Sequence, residues 1–280
     1  MSTTAAAHAS AIVVNSTTNL WYVTRATGLV ALVLLTISVA LGVLASVRYE
    51  RPGLPRFVTS GLHRNSSLLA LAFTGAHIVT TLADTYAPVR VQDVVIPFIS
   101  AYRPFWLGLG TIAFDLMLAL TVTSLFRTRM SYRRWQAVHL TSYLCWPVAV
   151  LHGLGTGSDS AVRWVLLLTV ICVALVTAVT GWRLAYGWPS HRGLRVAGAI
   201  AVVATLIAGG AWLAGGPLQP GWARRSGTPP SLLHSGTGPE SVRLTIPAGT
   251  ADPRRESVRL TTAAGTADGG QAPGAPGSQR

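Results

Sequence analysis

Apolar residues fall into six long runs separated by short polar segments: approximately Ala26–Val47, Leu62–Leu82, Phe105–Phe126, Trp135–Leu154, Val162–Leu184 and Val196–Ala214. An α-helix rises about 1.5 Å per residue, so roughly 20 apolar residues cross the ~30 Å hydrocarbon core of a bilayer. Each run is long enough. The pattern predicts an all-α, polytopic membrane helical bundle with six transmembrane helices over residues 21–214. Residues 1–20 hold no Arg or Lys and precede a run too long for a signal segment, so they read as a flexible N-terminal tail. Residues 215–280 turn to Gly, Pro, Ser and Thr and carry too little apolar surface to fold alone, which predicts a disordered tail. That tail holds a duplication: Glu240-Ser-Val-Arg-Leu-Thr245 recurs 16 residues on as Glu256-Ser-Val-Arg-Leu-Thr261.

Composition sharpens the class. Half the residues are hydrophobic and 11% are charged, against about 25% charged in an ordinary soluble domain. The net charge of +13 comes from 22 Arg and no Lys. In a soluble protein that excess would suggest nucleic acid. Here the arginines cluster beside the apolar runs, which excludes that role and points to membrane topology in contact with lipid. The first, third and fifth loops with their helix ends carry Arg48, Arg51, Arg56, Arg64, Arg127, Arg129, Arg133, Arg134, Arg183, Arg192 and Arg195. The opposite side carries Arg25, Arg90, Arg103 and Arg163 before the tail. The positive-inside rule then predicts a multi-pass protein of the cell membrane with odd loops cytoplasmic and both termini outside. Trp21, Trp106, Trp135 and Trp188 fall at span ends, where interfacial aromatics belong. Cys145 and Cys172 sit inside apolar runs and form no redox or metal motif.

The chemistry lies with histidine. His8, His191 and His234 fall in tails or a loop. His63 and His77 lie on the second span, His139 and His152 on the fourth. Spacings of 14 and 13 residues separate each pair by about 20 Å along its helix. Both spans run in the same direction, so His63 can face His139 at one depth and His77 can face His152 at the other. Two levels with two imidazoles each form two axial ligand sets for haem iron, since neutral imidazole is a good iron ligand. Thirteen residues leave His139 and His152 about 140° apart on a straight helix, so a kink is expected at Pro147 between them. Ordinary buried histidines, or a metal site without haem, are the competing readings; two His about 20 Å apart cannot share one ion.

The stretches Thr24-Arg-Ala-Thr-Gly28, Gly61-Leu-His-Arg-Asn65, Ala76-His77, Arg134-Trp-Gln-Ala-Val-His139 and Leu151-His-Gly153 resemble the ferric reductase-like transmembrane domain family. That haem-binding membrane domain is related to NADPH oxidases and to the haem subunit of the bacterial methionine sulfoxide reductase system. The resemblance covers Trp21–Leu184. It implies two b-type haems, His63 with His139 binding the inner one and His77 with His152 the outer, and electron transfer across the bilayer. The oxidases continue into a flavin and NADPH domain, and no glycine-rich dinucleotide motif appears here. The expected donor is therefore quinol or a separate cytosolic flavin reductase. The expected acceptor is extracytoplasmic: iron, oxygen or a flavoprotein.

Supporting residues have two readings each. Arg25 can hold haem propionates, because guanidinium grips carboxylate in a bidentate way, or it can be an interfacial charge. Arg64 and Arg134 can do the same for the inner haem or simply belong to an Arg-rich loop. Asp115 is the only acid within a span, and either exchanges protons beside a quinone or pairs with an Arg. Phe73, Tyr143 and Trp146 either pack the bundle or flank a macrocycle. Asp84–Arg103 reads as an interfacial amphipathic segment over the outer level. The leading expectation is a dihaem membrane cytochrome subunit, an oxidoreductase component. The alternative is a haem-free integral membrane transporter or scaffold.

Overall fold

The structure, a computed structural model, describes residues 2–47, 55–157, 162–186 and 191–234, with side chains between residues 19 and 233. Among the described residues every regular element is helical. Six helical segments are long and apolar enough to cross a membrane: Asn19–Ser46, Arg56–Ala83, Pro104–Leu125, Tyr132–Thr156, Arg163–Ala185 and Arg192–Gly215. They reproduce the six apolar runs, with ends displaced by a few residues, and make this a multi-pass membrane protein. Arg48, Arg51, Trp188, the His8 side chain and the duplication after residue 234 lie outside what is described.

The helices are α1 (Ser2–Ser46), α2 (Arg56–Ala83), α3 (Val91–Val95), α4 (Pro104–Leu125), α5 (Tyr132–Leu140), α6 (Ser142–Thr156), α7 (Arg163–Ala185), α8 (Arg192–Gly215), α9 (Trp222–Arg225) and α10 (Pro230–His234). The backbone of α1 continues to Ser2 through the stretch expected as a tail, where Ala5, Ala6, Ala7 and Ala9 favour helix. Prolines mark two starts: Pro55 caps α2, and Pro104 opens α4, where its missing N–H costs nothing. The most extensive packing is α1 on α2, followed by α4 on α6, with α1 also touching α6 and α7. Trp146, Val150, Leu154 and Cys172 are buried against Leu32, Leu35 and Val176. Ala70, Met117 and Cys145 form a second buried cluster. The Trp146 indole donates to the Thr36 hydroxyl at 2.9 Å. No residue of α8 is buried, and Leu194, Ile200 and Ile207 stand outward as a lipid-facing side would.

The fourth span is interrupted at Thr141, between α5 and α6, and α6 runs through Pro147, the position at which the sequence predicts a kink. Thr141 donates both its N–H (3.0 Å) and its hydroxyl (2.7 Å) to the Val138 carbonyl, and Leu144 N–H then donates to Thr141 O. These are i→i−3 bonds. Each such step advances roughly 120° instead of 100°, which recovers part of the phase that 13 residues lack.

The first part of the expected tail also behaves differently. Residues 216–234 fold back onto the bundle. The Trp222 ring lies 5.4 Å from Trp106 and 6.0 Å from Trp212, and its indole N–H donates to Gly155 O at 3.1 Å. Arg103, buried at 3% exposure, fixes this segment. Its backbone N–H donates to Gly227 O (3.0 Å), its Nε to the Thr228 hydroxyl (2.9 Å), and one terminal nitrogen to Gly155 O (3.1 Å) and Thr156 O (3.0 Å). Burial lowers the Arg103 pKa below the ordinary guanidinium value, opposed by Tyr102 and Tyr86. The segment has little apolar content, so composition gives no sign of it; the anchor is one arginine far away in sequence.

Replacing Arg103 by Met should release this segment. Hydrogen bonds from a charged group contribute about 1.5–3 kcal/mol each, and about 1.4 kcal/mol is tenfold in an opening equilibrium. Trypsin cleavage after Arg224 and Arg225 should accelerate at least about tenfold over the unsubstituted protein in the same detergent. An unchanged cleavage rate would show that Arg103 is not the anchor.

Candidate functional site

An imidazole in hydrocarbon needs an acceptor for its N–H, and helix carbonyls are the nearest supply. Three of the four intramembrane histidines solve this in the same way. His77 Nδ1 lies 2.8 Å from Thr24 O, His63 Nδ1 lies 2.9 Å from Ser38 O, and His152 Nδ1 lies 2.9 Å from Trp106 O. A carbonyl only accepts, so each Nδ1 carries the proton and each Nε2 keeps its lone pair. That is the tautomer a metal-ligating histidine adopts, held by the partner that usually holds it.

Each of these rings also rests on a glycine four residues after the accepting carbonyl. A Cβ at Gly28 would lie 3.1 Å from His77, one at Gly42 would lie 3.2 Å from His63, and one at Gly110 would lie 2.5 Å from His152. The result is a repeated socket: the carbonyl of residue i and the bare backbone of Gly i+4. Thr24/Gly28 and Ser38/Gly42 form two on α1; Trp106/Gly110 forms one on α4. Ser38 Oγ adds a longer contact to His63 Nδ1 (3.4 Å) and a short hydrogen bond to Ser67 Oγ.

The four histidines come together in two pairs. His63 and His139 have ring centres 6.2 Å apart with planes at 76°; His77 and His152 are 6.3 Å apart at 81°. Two imidazole nitrogens binding one metal ion from opposite sides at about 2.0 Å put their ring centres roughly 6 Å apart, allowing about 1 Å from nitrogen to centre. Both pairs therefore fit the donor set of a two-histidine metal complex. Among the described residues no three or more His, Cys, Asp or Glu side chains converge, so these sites offer two protein ligands each.

His77 and His152 line a cavity of about 320 Å³. Its wall is mostly apolar, with Arg25, Asp84, Asp93, Tyr86 and Tyr102 among the polar lining residues. The segment between α2 and α4 closes it: on α3, Asp93 is buried inward while Val91 and Val95 are exposed. Asp93 accepts from Arg90 N–H at 3.0 Å, and its carbonyl accepts from the Thr111 hydroxyl at 2.9 Å. Gly108 lets this segment approach, since a Cβ there would meet the Phe98 backbone nitrogen at 2.6 Å.

The other expected residues divide. Arg25 lines the cavity with its guanidinium 4.0 Å over the Trp21 ring. Arg64 and Arg134 are exposed. Arg127 stands at the His63 end instead, 4.6 Å over Trp135, which stacks on His139 at 4.7 Å. Asp115 is exposed on α4 and does not line the cavity. Trp146 is buried, and Tyr143 hydroxyl takes a short hydrogen bond from Arg183. The residues missed from sequence are the three socket glycines, Asp93, Arg103 and Arg127. One signal was present for the first of these: Thr24-x-x-x-Gly28 and Ser38-x-x-x-Gly42 repeat at 14 residues, the spacing of His63 and His77.

Residues 27–150 match the family described as ferric reductase like transmembrane component. No curated protein and no solved structure matches the chain. The matched stretch contains His63, His77 and His139 and ends two residues before His152.

Substituting the socket glycines by Ala should give graded losses. Gly110→Ala forces the His152 ring to move and should cost about 1–3 kcal/mol. Gly28→Ala and Gly42→Ala need shifts of a few tenths of an ångström and should cost less. Gly75→Ala meets nothing within 4 Å and should be neutral or slightly stabilising. Thermal unfolding midpoints in detergent report the order, and equal midpoints for Gly110→Ala and Gly75→Ala would contradict it.

Proposed function

From the premise that residues 27–150 form a ferric reductase like transmembrane component, a membrane electron-transfer part that works with a reductase domain or partner, we propose that the chain is a dihaem b-type cytochrome subunit. His63 with His139 holds one haem, and His77 with His152 holds the second. The observation that carries this reading is the pairing itself: two opposed imidazole pairs at 6.2 and 6.3 Å, from four histidines on two spans. A b-type haem supplies a one-electron ferric/ferrous couple at each level.

The chain's own residues do the rest. The backbone carbonyls of Thr24, Ser38 and Trp106 hold three imidazoles in the metal-binding tautomer and raise their basicity. Arg25 offers a cation to a propionate at the cavity wall. The apolar lining excludes water, and residues 216–234 cover the Gly155–Thr156 end. The separation of about 20 Å between levels makes the pair a wire through most of the membrane. The arginine distribution supports placing the His63 end at the cytoplasm and the His77 end outside, with both termini outside. Electrons then enter from quinol or a cytosolic flavin reductase and leave to an extracytoplasmic acceptor such as iron, oxygen or a flavoprotein.

A reduced-minus-oxidised visible spectrum with a pyridine haemochrome count tests this directly. The expected result is two b-type haems per chain, falling to one in His77→Ala/His152→Ala and to one in His63→Ala/His139→Ala. A colourless protein from haem-replete cells would overturn the reading and favour the haem-free transporter or scaffold.

A further inference from the structure

A carboxyl inside a bilayer is costly, and it normally faces the bundle interior, a water-filled cavity or a charged partner. Asp115 has none of these within the chain. It is the twelfth of the 22 residues of α4, about 16 Å from one end of the helix and about 15 Å from the other. That is near the middle of a ~30 Å hydrocarbon core. Trp106, whose carbonyl holds His152, lies nine residues earlier, so Asp115 stands between the two histidine levels. It is exposed, it does not line the cavity, and among the described residues no hydrogen bond or ion pair engages its carboxyl.

The two faces of α4 show where this carboxyl points. Gly110, Ala113 and Met117 turn to the bundle, against His152 and Cys145. The opposite face is covered only at its outer end, where Gly108 meets Phe98 and the Thr111 hydroxyl donates to Asp93 O. Beyond that cover the face is bare: Asp115, Leu118, Ala119 and Val122, at i, i+3, i+4 and i+7, are all exposed.

No other part of the chain can answer the charge. The sequence has no Lys. Of the arginines in the described spans, Arg25 adjoins Thr24, Arg64 adjoins His63, and the others lie in the first or last turn of their spans. A second copy would therefore offer Asp115 only another carboxyl or an uncharged side chain at that depth.

We infer that the bare face of α4 is the docking surface for a transmembrane helix of a second protein, one that carries a Lys or Arg near the bilayer midplane and pairs it with Asp115. Charge complementarity selects this occupant, since lipid tails leave the carboxylate unsolvated and a second copy brings no cation. Leu118 and Val122 supply apolar contact beside the pair. Ala119, one turn further along, lets the partner backbone approach, as small residues do between membrane helices.

The probe is a synthetic transmembrane peptide of about 20 Leu and Ala residues with one Lys at its centre. Full-length labelled protein is reconstituted with it in phosphatidylcholine liposomes, and energy transfer between the labels reports binding. The Lys peptide should bind at least about tenfold more tightly than the same peptide with Leu at the centre. Asp115→Leu should erase that difference and Asp115→Glu should keep it. A Lys peptide that binds no better than the Leu peptide, or a preference that survives Asp115→Leu, would overturn the inference. So would energy transfer between two copies of the protein that is lost in Asp115→Leu while the peptide preference is absent; that result assigns the face to a second copy. The comparison of the two peptides on the unsubstituted protein decides the matter even where a variant fails to fold, and none of these readouts depends on haem.

Discussion

The rest of the bundle depends on one constraint: an imidazole N–H inside a membrane must find an acceptor that is not water. Helix carbonyls are already engaged by their own N–H groups but have a second lone pair. Three histidines use that lone pair, and each does so beside a glycine, where a bare backbone lets the ring approach closely; at Gly110 a Cβ would collide with the ring outright. One bond thereby sets three things at once: the distance between two helices, the tautomer of the ring, and the direction of the free nitrogen. Structure and chemistry share the same contact, which is why the least apolar spans are also the ones that carry the site.

The register between α1 and α2 follows from this. The sockets Thr24 and Ser38 are 14 residues apart, and so are His63 and His77. On antiparallel helices both bonds form only in a single alignment. A slip of one turn would leave two imidazole donors unsatisfied, at about 1–3 kcal/mol each. Apolar packing alone cannot enforce such precision in lipid, where the alternative neighbour is as oily as the helix. The histidines therefore specify the pairing of the two helices that pack most extensively.

Much of this was legible from the chain. Six spans, the common direction of the second and fourth, and the matching of His63 with His139 and His77 with His152 all follow from hydropathy and spacing. What escaped has physical reasons. At the break, Thr141 donates both its N–H and its hydroxyl to the Val138 carbonyl, a geometry that residue identity alone does not announce. The folded segment 216–234 has the composition of a tail and gains its place through Arg103 and three tryptophans distant in sequence. Arg127, which spacing from the histidines does not single out, reaches the stack on His139 through Trp135.

The asymmetry of the site has a common origin with the asymmetry of the fold. Two sockets tie α2 to α1, so α2 is fixed at both depths. One histidine socket ties α6 to α4, at the His152 end of the fourth span; nearer Thr141, Trp146 and Cys145 hold α6 by bonds to Thr36 and Ala113 O. Its other end has no carbonyl to answer to, and the backbone is free to break at Thr141 without losing a histidine contact. The break lets His139 reach the level of His63 despite a spacing of 13, one residue short of its partner helix. Of the four imidazoles, His139 alone has, among the described residues, an Nδ1 without a hydrogen-bond partner, and its ring stacks on Trp135.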